Sequence, residues 1–351
     1  MRCMMMAIDV GAGTQDILLY REDVEPEGLY KMIMPSQTVI VARRIRKATE
    51  QGKDVFLHGY TMGGGPMAAA VKNHIASGFR VYATTDAALS IHDNIQRVSS
   101  MGVVITEDPP EGCVEIRTGD IDLMALRSAL ISFNVDLPEA IAVAVQDHGF
   151  SPKRSNRATR FDIMRRSLKN GGRIGDFAHR EPPEALSRMR AVWRYLRDQG
   201  MDVMLMDTGP AAVFGALEDP DCRLPALVLN IGNGHTIGAL VDDQRITAIF
   251  EHHTSALDPP KLNSIVERFC AGKLTNSEIF DDGGHGAHIE CVPGEVRSIL
   301  VTGPRRGGFV SRTKMKLIQA APWGDMMITG CVGLVRAWRS WGDGDGDRQG
   351  R

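Results

Sequence analysis

The chain has 351 residues, of which 43% are apolar and 24% charged, and its formal net charge is −2. This composition excludes a disordered chain and suffices for two globular domains with their own cores. The near-neutral charge argues against nucleic acid as the main partner, and the apolar runs are too short to cross a membrane, so we expect a cytoplasmic protein.

Apolar runs and helical patterns alternate along the chain, which predicts an α/β fold. The runs MMMAIDV, DILLY and LYKMIM predict three strands at the start. Later strands are predicted at DVFLHGY, FRVYAT, AIAVAVQDHG and MDVMLMD. The predicted helices are 38–51, 66–77, 86–99, 120–133 and 182–199, with another beginning at Thr208.

Two segments do not follow this alternation of strands and helices. Residues 151–180 carry nine Lys/Arg against two Asp/Glu and include Gly171 and Gly172, which favours a long basic loop. We interpret this loop as a solvated lid whose arginines would suit an anionic substrate. The last residues, 341–351, end in the low-complexity run GDGDGDRQGR and are predicted to be a disordered tail.

A glycine turn between two strands occurs twice. In AIDVGAGTQD an apolar strand ends at Asp9 and a turn follows, and ALVLNIGNGHT repeats the design with Asn230 in place of the aspartate. Because glycine has no Cβ, the backbone N–H groups of such turns can approach phosphate oxygens closely. The repeat predicts two similar domains that face one another across a shared ligand.

The order of these motifs resembles the ATPase fold shared by actin, the heat-shock chaperones and the sugar kinases. The two glycine turns are similar to its phosphate motifs, MDTGPAAVFGAL and MMITGCVGLVRAW to its connecting helices, and SILVTGPRRGG to its adenosine motif. More narrowly, the chain resembles proteins labelled putative pyruvate formate-lyase activating enzymes.

The resemblance implies two ribonuclease-H-like domains around a nucleotide cleft. The first lobe would be 1–206, with an insertion at about 52–135 that helps to form the substrate cleft, and the second lobe would be 207–340.

The resemblance also implies that the ligands are ATP and Mg²⁺. Asp9 would hold Mg²⁺ through water, and Asp16 would share the metal shell because Asn230 stands where many relatives have Asp. Asp207 would accept a proton from the attacking hydroxyl or water. The implied phosphate-binding residues are Gly11, Gly13, Thr14, Gly232, Asn233, Gly234, His235 and Thr236, and those beside the adenosine are Gly303, Pro304 and Arg305.

Each assignment has a structural alternative. An aspartate before a glycine turn is often only a turn former, and Asp207 is placed to cap the helix that follows it. Gln146 and Asp147, in QDHG, suit either a catalytic role or the polar end of a strand. The segment GYTMGGGPMAAA suits an anion site at a helix start or a packing turn.

Metal sites other than Mg²⁺ have weaker support. The six cysteines lie far apart with no CxxC spacing, which argues against a zinc ribbon or an iron–sulfur cluster. His252, His253, His285 and His288 lie near acidic residues, but their spacing matches no standard transition-metal motif.

Two classes of function therefore remain open. The first is a kinase that transfers phosphate from ATP to an unidentified small molecule. The second is an ATPase switch whose lobes move a partner protein. The radical chemistry implied by the narrower family label has the least support, because the cysteine spacing does not provide for a cluster.

Overall fold

The computed structural model describes residues 4–348. Within these residues the strands form two six-stranded sheets and one four-stranded sheet. The strands are β1 Met4–Val10, β2 Thr14–Arg21, β3 Tyr30–Pro35, β4 Val55–Gly59, β5 Val81–Ala83, β6 Val103–Ile105, β7 Val114–Thr118, β8 Ala140–Val145, β9 Ala178–His179, β10 Asp202–Met206, β11 Ala226–Ile231, β12 His235–Asp242, β13 Arg245–His253, β14 Gly286–Ile289, β15 Ser298–Thr302 and β16 Ile318–Gln319. The helices are α1 Gln37–Glu50, α2 Gly65–Ala76, α3 Thr85–Ala88, α4 Ile95–Ser100, α5 Leu123–Ile131, α6 Asn156–Lys169, α7 Ser187–Asp198, α8 Thr208–Ala216, α9 Pro259–Cys270, α10 Asn276–Asp281, α11 Arg306–Val310 and α12 Thr329–Arg348.

The two larger sheets have the same strand order. The first runs β3-β2-β1-β8-β10 and the second runs β13-β12-β11-β15-β16, with one further antiparallel strand at one edge of each. In both sheets the first three strands are antiparallel and the last two are parallel to the first. This is the ribonuclease-H-like order, present twice, so the predicted two-domain actin-like ATPase fold is confirmed.

Strand β1 shows why the apolar runs become central strands. Met5 and Ala7 face one core, while Met6, Ile8 and Val10 face another on the opposite side of the sheet. A strand that is covered on both faces needs an apolar residue at every position, and the run MMMAIDV supplies them up to Asp9. Strand β11 is buried in the same way in the second lobe.

Helices α8 and α12 lie between the two sheets and share their core. They cross at two glycines, Gly215 of α8 and Gly333 of α12. A Cβ on Gly215 would overlap the carbonyl oxygen of Thr329, and one on Gly333 would overlap that of Ala211. The two backbones are therefore in direct contact where the lobes meet, an approach that only glycine allows.

The insertion in the first lobe is a separate α/β unit. Its four strands are parallel in the order β6-β5-β4-β7, with their own core. Helix α1 packs in this core, whereas α5 packs on the first lobe's sheet. The unit thus begins earlier and ends earlier than the predicted 52–135.

The prediction of a basic loop at 151–180 is wrong, because α6 occupies 156–169. Phe161, Met164 and Leu168 recur at helical spacing and are buried, together with Arg160. The many basic residues concealed this stripe. At the C-terminus, α12 continues to Arg348, and the end of the predicted disordered tail, 349–351, lies outside the described residues.

No helix in residues 4–348 is long and apolar enough to cross a membrane.

Candidate functional site

The two glycine turns have the same internal geometry. The N–H of Gly11 donates to the carbonyl of Thr14 at 2.8 Å, and that of Gly232 donates to the carbonyl of His235 at 2.9 Å. The next hydrogen bonds also correspond, since Ser36 donates to Gly13 at 3.1 Å and Thr254 to Gly234 at 2.9 Å.

The turns meet across the cleft. A Cβ on Gly13 would lie 3.2 Å from the Asn233 side-chain nitrogen. The pattern that suggested a duplication in the sequence therefore corresponds to two facing backbone turns in the structure.

A cavity of about 560 Å³ lies at these turns. Both lobes and the insertion contribute to its lining, the insertion through the segments around Thr61–Pro66 and Leu89–Asp93. The predicted site residues that line it are Asp9, Gly11, Thr14, Asp16, Gln146, Asp147, Gly232, Asn233, Gly234, His235, Gly303 and Pro304. Gly13, Thr236, Arg305 and Asp207 are not part of the lining.

Asp9 and Asp16 are opposite each other on β1 and β2 at one end of this cavity. Among the described atoms, the Oδ1 of each is buried without a hydrogen-bond partner. Burial, with the neighbouring Asp16 and Asp207 charges, raises the pKa of Asp9 well above its usual value, and burial raises that of Asp16 to about 7. A divalent cation would supply the missing partner of both carboxylates, so the residues fit Mg²⁺.

The first turn of α12 approaches the same carboxylates. A Cβ on Gly330 would overlap the Asp9 carboxylate, so this helix position has room only for hydrogen. The α12 N-terminus thus adds a partial positive charge beside Asp9.

Asp207 is held by Arg160 of α6. The guanidinium donates to Oδ2 of Asp207 at 2.6 Å and to Oδ1 at 2.9 Å, and both side chains are buried. The N–H groups of Gly209 and Asp147 also donate to this carboxylate, at 3.0 and 3.2 Å. Asp207 therefore caps α8 and neutralises Arg160, with its oxygens already engaged.

Gln146 and Asp147 follow β8 and line the cavity. The oxygens of Asp147 accept hydrogen bonds from the N–H groups of Gly149 at 2.7 Å and Met189 at 2.8 Å. Burial raises the pKa of this carboxyl group. The Gln146 amide donates to Glu251 at 2.9 Å and so joins the first lobe to the second.

At the other end of the cavity, Gly303 follows β15 with φ of 96°, the left-handed region that favours glycine. Pro304 is exposed beside it. Both residues line the cavity, and Gly303 lies close to Ile231 and Asn230 of the second lobe's glycine turn.

The four histidines grouped in the sequence do not form one site. His252 lies 2.8 Å from Asp282, and His288 lies 2.9 Å from Glu290. Instead His285 meets His148 and His235, and the candidate ligand atoms of these three lie within 4.8 Å of one another. The ring of His253 lies beside them at a tilt, with its centroid 4.8 Å from that of the His235 ring.

The sequence assigned no role to Arg160 or His148, and Glu251 was noted only as an acidic residue near the histidines. Arg160 donates through Nε to Glu251 at 2.7 Å, and both side chains are 1% exposed. Burial alone would raise the pKa of Glu251, but Arg160 and the neighbouring histidines hold it below its usual value. His148 is part of the motif QDHG, but only the fold shows that it lies next to His235 and His285.

Several solved structures are similar to this chain. A Ppx/GppA family member from Aquifex aeolicus is 11% identical, with 86% of this chain and 66% of that chain covered and a TM-score of 0.32. A Listeria monocytogenes protein described as a putative N-acetylmannosamine kinase is 10% identical, with coverages of 97% and 100% and a TM-score of 0.37. The activator of the 2-hydroxyisocaproyl-CoA dehydratase from Clostridium difficile, with bound ADPNP, is 9% identical, with coverages of 97% and 98% and a TM-score of 0.34.

The chain spans just under two thirds of the length of the Ppx/GppA structure. Because these identities and TM-scores are low, the fold assignment rests on the strand order of the two sheets.

No curated protein matches the chain. A family model does match, over residues 62–307, which is more than half of the sequence. The chain belongs to the DUF1786 family, described as "Putative pyruvate format-lyase activating enzyme".

Proposed function

We propose that the protein is a Mg²⁺-ATP-dependent phosphotransferase that acts on a small molecule. The observation that carries this proposal is the pair of facing glycine turns beside two carboxylates that each have a buried oxygen without a hydrogen-bond partner among the described residues. Backbone N–H groups in such turns bind phosphate oxygens, and the carboxylates bind the cation that neutralises them.

The roles follow from position. Asp9 and Asp16 hold Mg²⁺, and the turns at Gly11 and Gly232 bind the phosphates from opposite sides. Gly303 and Pro304 border the nucleoside. Bound Mg²⁺ supplies neutralisation of the phosphate charge, and the chain's own residues position the nucleotide.

The insertion supports a small-molecule acceptor. Its segments Thr61–Pro66 and Leu89–Asp93 line the same cavity as the turns, so the insertion covers part of the space beyond the phosphates. A partly covered cleft of this volume, with a few polar groups in its lining, suits a metabolite.

Asp147 is a better candidate than Asp207 for the proton acceptor. Asp147 lines the cavity and burial raises its pKa, whereas Asp207 lies outside the lining and is paired with Arg160. A raised pKa brings a carboxylate closer to the range in which a general base works at neutral pH.

The family description suggests radical-enzyme activation instead. Such chemistry requires a cysteine-bound cluster. In residues 4–348 the cysteines enter no group of three or more candidate metal ligands. The glycine turns and the carboxylates beside them suit phosphoryl transfer, and for this reason we prefer it.

The test uses ATP labelled at the γ-phosphate, Mg²⁺ and fractions of a metabolite extract. We expect slow hydrolysis alone and transfer of label to one compound class in some fractions. Hydrolysis that no fraction changes, but that a partner protein accelerates, would replace the kinase by the ATPase switch. Failure of ATP to bind at millimolar Mg²⁺ would remove both.

A further inference from the structure

We propose that His148, His235 and His285 form a binding site for a divalent transition-metal ion, of the type represented by Zn²⁺, next to the phosphate turn of the second lobe. The site is distinct from the Asp9 and Asp16 carboxylates and does not depend on nucleotide binding.

The geometry of the three rings carries this inference. The ring of His285 lies 4.7 Å from that of His235 and 5.4 Å from that of His148, measured between centroids. The candidate ligand atoms all lie within 4.8 Å of one another. Tetrahedral Zn²⁺ with nitrogen ligands needs separations of about 3.4 Å, which small rotations of the side chains supply.

The hydrogen bonding of the cluster points in the same direction. In the described part of the chain both ring nitrogens of His285 and Nε2 of His235 are buried without a hydrogen-bond partner. A buried polar atom without a partner is unfavourable, because water no longer satisfies it. A metal ion among the three rings would satisfy one nitrogen on each.

The charge state of the cluster suits a metal. Burial lowers the pKa of His235 to about 4 and that of His285 to about 3, and burial holds the pKa of His148 well below its usual value. Burial thus favours neutral imidazole, which is the form that ligates metals.

The backbone fixes the ligands before any ion binds. His235 begins β12, opposite His253 of β13, and the N–H of His285 donates to the carbonyl of Glu251 at 2.9 Å. His148 comes from the other lobe, in the loop after β8. The ion would therefore join the two lobes.

The ring of His235 also contacts the side chain of Gln146. The amide nitrogen of Gln146 lies 2.9 Å from Nδ1 of His235, a contact whose direction depends on the ring tautomer. The same amide nitrogen donates to Glu251 at 2.9 Å, so the Gln146 side chain is fixed beside this ring.

Three imidazoles leave a fourth position of the ion free. His148 and His235 line the cavity, so that position faces the cavity and is available to water, a phosphate or a substrate oxygen. This arrangement is typical of catalytic rather than structural zinc sites, which are closed by four protein ligands.

The experiment uses untagged, chelator-treated protein without nucleotide. Co²⁺ is titrated as the probe because four-coordinate Co²⁺ absorbs visible light, and Zn²⁺ is then used to displace it. We expect one equivalent of tightly bound metal. His285→Asn and His148→Ala should each weaken binding by about a hundredfold or more.

His288→Ala is the matched control, because this histidine pairs with Glu290 on the surface, and it should bind like the wild type. If a ligand variant fails to fold, X-ray absorption on the Zn²⁺-loaded wild type decides, with three imidazole nitrogens expected. Wild-type protein that binds no stoichiometric metal, or ligand variants that bind as the wild type does, would overturn the site. ATP binding is measured separately, so the two proposals fail independently.

Discussion

Arg160 and Asp207 form a two-pronged ion pair in the interior, with guanidinium nitrogens 2.6 and 2.9 Å from the two carboxylate oxygens. The same guanidinium reaches Glu251 of the second lobe at 2.7 Å. One buried cation thus neutralises an acid from each lobe.

The variant Asp207→Asn should show how much this ion pair contributes to stability. Asparagine still caps α8, but Arg160 loses a counter-charge that no water can replace. We expect the free energy of unfolding to fall by about 3 kcal/mol, well beyond the value of a helix cap. Urea unfolding followed by tryptophan fluorescence measures it.

Asp122→Asn is the control, because Asp122 caps α5 by accepting a hydrogen bond of 3.0 Å from the N–H of Ala125 and forms no ion pair within residues 4–348. It should lose only a few tenths of a kcal/mol. Equal losses for the two variants would show that the ion pair adds nothing beyond the cap.

Asp9→Asn should separate metal binding from stability. The amide keeps the volume and removes a buried charge that lacks a partner, so the metal-free variant should be at least as stable as the wild type. The Mg²⁺ concentration that the variant needs for half-maximal ATP binding should rise about tenfold or more. Calorimetric titration of ATP at several Mg²⁺ concentrations checks this, with exposed Asp136→Asn as the control. Unchanged Mg²⁺ dependence would remove Asp9 from the metal site.

Gly215→Ala should be strongly destabilising. The added methyl group would overlap the carbonyl oxygen of Thr329 and force α8 and α12 apart, at a cost of about 3 kcal/mol. Gly307→Ala, in α11, meets no atom within 4 Å and should be neutral or slightly stabilising. Thermal unfolding of both variants gives the comparison, and a tolerated Gly215→Ala would mean that the crossing can relax.

The stability of the protein should fall on mild acidification, in part through His74. This ring is fully buried in the insertion, its Nδ1 lies 2.6 Å from the Thr49 hydroxyl, and burial lowers its pKa. Below the unfolded pKa of about 6.5 the unfolded chain takes up a proton that the folded chain does not, so stability is lost as the pH falls from about 7.5 to 5.5. Over this pH interval, the free energy of unfolding should fall more for the wild type than for His74→Leu. Parallel urea midpoints for the two proteins would contradict the assignment.

Protein purified without oxygen should contain no stoichiometric acid-labile sulfide. The sequence spacing of the cysteines offers no cluster motif. Assays of iron and sulfide distinguish an iron–sulfur cluster from iron bound by the histidines, because the histidine site would hold iron without sulfide. Iron with equimolar sulfide would restore the radical chemistry of the family description.

The sequence predicted the parts of this fold that repeat. The two glycine turns, the strands before them and Asp9 were readable because each feature lies within one short segment and occurs twice. Helix α6 was missed because its most informative residue, Arg160, looks like surface charge until Asp207 and Glu251 are placed beside it. The histidine site was missed for a related reason, since its ligands come from three distant segments and leave no spacing signal.

The two copies of the glycine hairpin differ in charge. Asp9 and Asp16 in the first lobe correspond to Asn230 and Ile237 in the second, since these residues occupy the same register positions in the paired strands. A cation at the carboxylates is therefore anchored on one side of the cleft only. In the proposed complex, the first lobe should therefore hold the metal and the phosphates that it neutralises more firmly than the second lobe does.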